Sequence, residues 1–261
     1  MLKRWNVKVY NIDFLIAILD YVLTFIDLDL KFKRKKPKRS AKLYIKALIL
    51  KEILKISLRY AESYSLIYLH IRIPKSTLNY WEIKHGDIIE KVLITIFSIL
   101  LFIDYDYSIM DSTKFNDWRK ELHELFISIR VKNKEALFPI HSKITNSEVE
   151  FVKDIPEGSG FMFADGAFDA KPVLNTIVSK GYLPIIKKGV TNPRGFGARI
   201  RDKIYDESLY VYRNVGEGIF GALTVEFGDR IKTKRKESFK TRVILRIIVY
   251  CLKIIIRCIY E

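Results

Sequence analysis

Cysteine is almost missing from this 261-residue sequence, which holds only Cys251 and Cys258. A disulfide framework is therefore excluded, and the seven-residue spacing puts both on one helical face as small core residues. Histidine is nearly as scarce, and His70, His85, His123 and His141 complete no zinc spacing with the cysteines. Long uncharged apolar runs are lacking too. The longest, residues 92–103, lies between Lys91 and Asp104 and falls short of the roughly 18 residues that span a bilayer. Residues 243–260 are more apolar, but Arg246, Lys253 and Arg257 interrupt them on one helical face, so an amphipathic helix with an outward basic stripe is expected. No secretory pattern follows Lys3 and Arg4, because Asp13 and Asp20 break the apolar region. An intracellular protein without a membrane partner is the expectation.

Acidic residues are the minority charge, 30 against 46 Lys and Arg, for a formal net charge of +16. Such a balance calls for a polyanionic partner. An apolar content of 49%, with 13% aromatics, is ample for packed cores and excludes intrinsic disorder.

Along the chain, residues 12–29 repeat apolar positions with Asp13, Asp20 and Asp27 on one stripe, as a helix would. The sign then reverses. Lys31, Lys33, Arg34, Lys35, Lys36, Lys38 and Arg39 surround Phe32 and Pro37, an exposed basic arm suited to phosphate contact. Residues 58–86 are compatible with a helix-turn-helix: Pro74 suits a helix start, Ser76 or Thr77 a cap, and Gly86 a C-terminal left-handed position. Lys75, Asn79, Tyr80 and Lys84 would then face a DNA groove; an ordinary helical hairpin explains the pattern too. Near residue 105 the texture changes to short β-type runs. Three strands (106–113, 124–131 and 136–144) are followed by a short helix capped by Ser147, a strand at 161–165, a helix at 169–180, a strand at 182–186 and a basic, glycine-containing loop to about Asp202. The expected fold is an α/β domain over 104–261, three antiparallel strands then two parallel ones, flanked by helices, after a helical DNA-binding region over 1–103.

Two strands end alike, each with apolar or small residues running into a carboxylate: Asp111 and Asp165. Ligands of open α/β sheets bind at the carboxyl ends of adjacent strands. Further on, Tyr210, Arg213 and Glu217 lie at offsets that share one face of a helix. Asp111, Asp165 and Glu217 together make an all-oxygen site suited to two Mg²⁺ or Mn²⁺ ions, the kind that serves in-line displacement at phosphorus.

Those residues carry a family resemblance over about 104–250. Tyr210, Arg213 and Glu217 match a Tyr-x2-Arg-x3-Glu signature; Asp111-Ser112-Thr113 and Asp165-Gly166-Ala167-Phe168-Asp169 are similar to the segments around two catalytic aspartates. The sequence resembles the insertion-sequence DDE transposases, whose catalytic domain is ribonuclease-H-like. The resemblance implies catalytic, metal-binding Asp111, Asp165 and Glu217, and transposon-end contacts by Tyr210 and Arg213. It further implies double-stranded DNA partners (terminal inverted repeats and target), a homodimer in the synaptic complex, and a cytoplasmic, nucleoid-associated site of action. A lysine often found seven residues after the glutamate is replaced by Thr224. Gly216, Gly218 and Gly221 are costly in a helix, about 1 kcal/mol each against alanine, and suit close approach of DNA or of the sheet. The alternatives are a metal-dependent nuclease that cuts without joining, an inactive DNA-binding relative, and a membrane-surface protein.

Overall fold

The structure, a computed structural model, describes residues 11–26, 39–189 and 192–260. Asp27 and the basic arm residues Lys31, Lys33, Arg34, Lys35, Lys36 and Lys38 lie outside the described residues. The chain divides into two compact units, one formed by Met1–Ile96 with Arg235–Glu261 and the other by Phe97–Lys234. That differs from the expected boundary at 103/104, and above all it moves the C-terminal helix into the helical unit.

The helical unit contains α1 (Ile12–Thr24), α2 (Ala41–Ile53), α3 (Leu58–Leu69), α4 (Lys75–Lys84) and α5 (Gly86–Leu100), in which the boundary falls. Side chains open the first three: Asn11 accepts from the Asp13 N–H, Ser40 from Lys42 and Ser57 from Tyr60, each satisfying a backbone donor that a helix start leaves unpaired. α3 ends at His70 in the left-handed region (φ 53°). Pro74 precedes α4 as expected, but neither Ser76 nor Thr77 caps it. Glu62 does so from α3, accepting the Lys75 N–H at 2.9 Å while bonding Arg72 Nε at 2.9 Å. Gly86 is not a left-handed stop either; it opens α5, and a Cβ there would stand 2.6 Å from the Thr241 hydroxyl.

The long helix of residues 236–260 completes this unit, packing on α1, α2 and α4. Leu245, Ile248 and Leu252 are fully buried on it, as is Cys251, whereas Cys258 is exposed and not a core residue. The basic stripe expected outward is partly inward: Arg246 is buried, with Glu52 3.9 Å away. At the centre stands Glu82, wholly buried, paired with Lys51 at 3.3 Å and Arg242 at 2.7 Å and accepting the Ser238 hydroxyl. Among the described residues, no helix is long and apolar enough to cross a membrane.

The second unit is a mixed five-stranded sheet flanked by helices, in the order β3-β2-β1-β4-β5. Its strands are β1 (Tyr107–Asn116), β2 (Leu122–Lys132), β3 (Ala136–Ile144), β4 (Phe161–Ala164) and β5 (Leu183–Ile186). β1, β2 and β3 pair antiparallel, and β1-β4 and β4-β5 pair parallel. Asn133 and Lys134, both at positive φ, turn β2 into β3 with the twist a tight hairpin demands. The helices of this unit are α6 (Glu148–Val152), α7 (Lys171–Ser179), α8 (Phe196–Ile204), α9 (Glu207–Tyr210) and α10 (Glu217–Phe227); that of residues 236–260 is thus α11. Alternation along the strands makes two apolar faces. Met110, Phe126, Met162, Ala164 and Ile186 pack with Phe151 of α6 and Leu174 and Ile177 of α7. Tyr107, Ile109 and Phe163 point the other way, to a 3-10 helix at Val211–Gly216.

α8 occupies part of what sequence alone suggests is a loop. Its helix is imposed by tertiary contacts: the Gly197 N–H donates to Asn175 Oδ1 at 3.0 Å, and Arg201 is fully buried against Asp169.

The buried Glu82 cluster gives the helical unit a pH limit. Burial alone would raise the Glu82 pKa, yet Lys51, Arg242 and Ser238 hold it below its ordinary value of 4.5. A carboxylate depressed on folding contributes stability above its unfolded pKa and loses it as pH falls through the folded one. Denaturant melts should therefore show stability declining below about pH 4.5, and Glu82→Ala, which removes the buried carboxylate between Lys51 and Arg242, should cost about 3–5 kcal/mol at neutral pH.

Candidate active site

The sheet register sets the site. Ser108 pairs with Met162 and Ile109 with Phe163, a constant offset of 54 (162 − 108), which puts Asp111 level with Asp165 (111 + 54 = 165). β4 ends at Ala164, level with Met110 by the same offset. Asp111 is thus the first β1 residue beyond the β4 edge, although β1 itself runs on to Asn116 with β2 instead of stopping near Thr113. Here the chain also reverses direction across the sheet: it runs outward from β1 to β2 and β3, then returns beside β1 as β4 and continues to β5. Such a switch point, at the carboxyl ends of parallel strands, is where open α/β sheets form their binding crevice.

Asp165 follows the last residue of β4 and caps the next 3-10 turn, Gly166–Phe168, by accepting the Ala167 N–H at 3.0 Å. Four residues later, Asp169 is buried and ties the loop down. Its carboxylate accepts from Arg201 Nη1 at 2.5 Å and from the Gly189 N–H at 2.6 Å. The sequence signal for this anchor is the second aspartate of the Asp165–Asp169 pair; Arg201 carried no signal of its own, because its partner lies 32 residues earlier.

Segment 210–217 is not one continuous α-helix. α9 ends at Tyr210, the 3-10 helix covers Val211–Gly216, and α10 begins at Glu217. Its packing on the sheet depends on Gly216, where a Cβ would come within 2.8 Å of Ile109 Cγ2. Gly218 approaches Leu137, with 3.2 Å from its built Cβ to a methyl group, whereas Gly221 faces open space and has no packing reason. Tyr212 sits against Tyr107 and Phe163, with ring centroids 5.6 and 6.2 Å away.

Arg213 joins the pieces. Its Nη2 lies 3.1 Å from both Asp111 carboxylate oxygens, and its Nη1 donates to Glu217 Oε1 at 3.0 Å. Burial lifts the Asp111 carboxyl above the ordinary carboxylate range and Asp165 adds to that, while Arg213 and the Ser112 N–H, 2.9 Å away, oppose it. Tyr210 is close enough to feel the same charges: burial raises its hydroxyl pKa, and Asp165 and Asp111 contribute against the opposing Arg213. It therefore stays a protonated donor. The Thr224 hydroxyl folds back to the Phe220 and Gly221 carbonyls at 2.8 and 3.2 Å.

The structure thus brings Asp111, Arg213 and Glu217 into direct contact and sets Asp165 level with Asp111. Glu217 remains largely exposed, its side chain at 62%, and a guanidinium stands where shared cation charge would be needed. Among the described residues, the three side chains whose ligand atoms all lie within 4.8 Å of one another are Asp117, Glu121 and His123, a set that sequence reasoning missed. Asp117 has a plain local role there, closing the β1–β2 turn by accepting the N–H groups of Arg119 and Glu121.

In the helical unit, α3 and α4 are joined by a turn that Glu62 and Ser65 close, Ser65 Oγ accepting the Ile73 N–H at 3.0 Å. Leu78, Trp81 and Glu82 face inward, leaving Lys75, Ser76, Asn79, Tyr80 and Lys84 exposed on α4. Arg39, the described end of the basic arm, donates to the Arg72 carbonyl in that turn.

A scan against known protein families finds no matching family, and a search of curated proteins finds no significant match.

Two substitutions probe the bridge. Arg213→Ala removes the cation that offsets burial, so the Asp111 pKa should rise further, as a carboxyl-carbon NMR titration would report. Gly216→Ala should cost about 1–3 kcal/mol through overpacking on Ile109, read from chemical denaturation.

Proposed function

We propose that this protein is a DNA transposase of the DDE type, with the sheet unit as a ribonuclease-H-like catalytic domain and the helical unit as its DNA-binding part. The observation that carries the reading is the level placement of Asp111 and Asp165 at the switch point, with Arg213 linking Asp111 to Glu217. Three carboxylates and no histidine or cysteine form a donor set that fits a hard divalent cation, Mg²⁺ or Mn²⁺. Asp111, Asp165 and Glu217 would hold two such ions, which when bound supply an activated water and charge stabilisation at phosphorus.

The chain's own residues support that chemistry in definable ways. Arg213 holds the charge of Asp111 and Glu217 in balance, and its guanidinium is suited to a phosphate oxygen when those carboxylates turn to other cations. Tyr210 offers a protonated hydroxyl beside them. With Thr224 bonded to its own helix, DNA contact beyond Glu217 falls to other cations, and the exposed Arg230 and Lys232 are near in sequence. The exposed face of α4 and the net charge of +16 suit recognition of terminal inverted repeats, with phosphate contacts supplying most of the affinity. Joining two ends calls for a homodimer in the synaptic complex, acting on nucleoid DNA in the cytoplasm.

Asp165→Asn should abolish Mg²⁺-dependent strand cleavage at the element ends while leaving DNA binding largely intact in a gel-shift assay. Retained cleavage would sink the assignment. A pre-cut end should be joined to target DNA by the unsubstituted protein; cleavage without joining would identify a nuclease instead.

A further inference from the structure

The tip of the β1–β2 hairpin holds a residue that the acid site does not use. Asp117 closes residues 117–121, its Oδ1 accepting the N–H of Arg119 at 2.7 Å and of Glu121 at 3.0 Å, and its own N–H donating to the Glu121 carbonyl at 3.0 Å. A turn closed in this way leaves little freedom to hide a side chain. Trp118 accordingly remains 48% exposed.

A second chain segment comes to the same place. The Ile231 N–H donates to the Asn116 carbonyl at 2.8 Å, and the Asn116 N–H to the Asp229 carbonyl at 3.0 Å. Arg230 Nη2 donates to the Trp118 carbonyl at 3.1 Å, and Lys234 Nζ lies 4.9 Å from the Trp118 ring centroid. A single exposed apolar side chain is ordinary; one held by two separate segments, each bringing cations, is not. Lys114, Arg119, Lys120, Arg230, Lys232 and Lys234 are all exposed on these segments, against exposed Glu121 and Asp229.

An aromatic plane rimmed by cations fits a nucleic-acid strand whose bases are free, because the base stacks on the ring while phosphates meet the cations. Intact duplex offers the phosphates but hides its base faces. We propose that Trp118 is a stacking platform for an unpaired base of a DNA strand, with Arg119, Lys120, Arg230 and Lys234 meeting the flanking phosphates. The proposal rests on the nucleic-acid reading above, but needs neither the metal nor the carboxylate triad.

The test uses the full-length protein in EDTA, so that no strand is cut. Fluorescence anisotropy would compare a blunt duplex with the same duplex carrying a single-stranded 3′ overhang, for the unsubstituted protein, Trp118→Ala and Trp118→Phe, with thermal melts to confirm equal folding. The overhang should strengthen binding by the unsubstituted protein. Trp118→Ala should weaken overhang binding about ten-fold or more, the loss expected when one base loses its aromatic stack, and should leave the blunt duplex unchanged. Trp118→Phe should retain most of the gain. No loss in Trp118→Ala, equal loss on both DNAs, or a Trp118→Phe protein as weak as Trp118→Ala overturns the platform. Failure of the unsubstituted protein to bind either DNA overturns the nucleic-acid reading with it. Trp118-dependent overhang binding in a protein whose Asp165→Asn variant still cleaves would leave the platform standing and sink only the triad.

Discussion

Parallel pairing between β1 and β4 is the constraint on which the rest of the second unit depends. Side chains alternate along each strand, so the register that sends Met110 and Met162 to the α6–α7 core also sends Ile109, Asp111 and Phe163 to the opposite face. A slip of one residue would exchange those sets and bury Asp111 among apolar side chains. The hydrophobic cost of that exchange protects the position of the carboxylates without any bond between them. Once Asp111 is set at 5% exposure, it needs a positive partner, since an uncompensated buried charge is expensive. Arg213 meets that need, and the short distance from the 3-10 helix to the sheet follows from the missing side chain at Gly216.

Two carboxylate–guanidinium pairs bracket Asp165, and they differ in kind. Arg201 and Asp169 are both fully buried, and Asp169 takes a backbone N–H as well, so that pair acts as a fastener between α8 and the loop that follows β4. The Arg213 pair is one-sided: Asp111 is nearly buried while Glu217 is open to solvent. An arginine shared between a buried and an exposed carboxylate can leave one of them at much lower cost than Arg201 can leave Asp169. The first pair therefore suits architecture, and the second suits a site whose charge must be redistributed.

Much of this was legible in the residues. Short β-type runs mark the strands, the apolar run into Asp marks both Asp111 and Asp165, and Arg213 still reaches Glu217 even though the backbone there is partly 3-10. What was hidden depended on contacts distant in sequence. α8 looks like a loop because Gly195 and Gly197 are poor local helix formers, and the contacts of Asn175 and Asp169 override them. Arg246 reads as outward because periodicity cannot anticipate Glu52 beside it. Gly86 resembles a helix stop, yet its job is to let α5 approach Thr241. The carboxyl edge could be named from sequence; the guanidinium standing between Asp111 and Glu217 could not.

β1 outlasts β4 by a definite length. Its last five residues after Asp111 run to Asn116 beside β2, and at about 3.3 Å per residue they carry the hairpin some 17 Å beyond the acids. Stacked nucleotides rise about 3.4 Å each along one strand. On the nucleic-acid reading proposed above, a strand held at both Asp111 and the hairpin tip would have roughly five nucleotides between the two points. Adding or deleting a pair of residues in each strand of the hairpin would change that count while keeping every side chain on its own face.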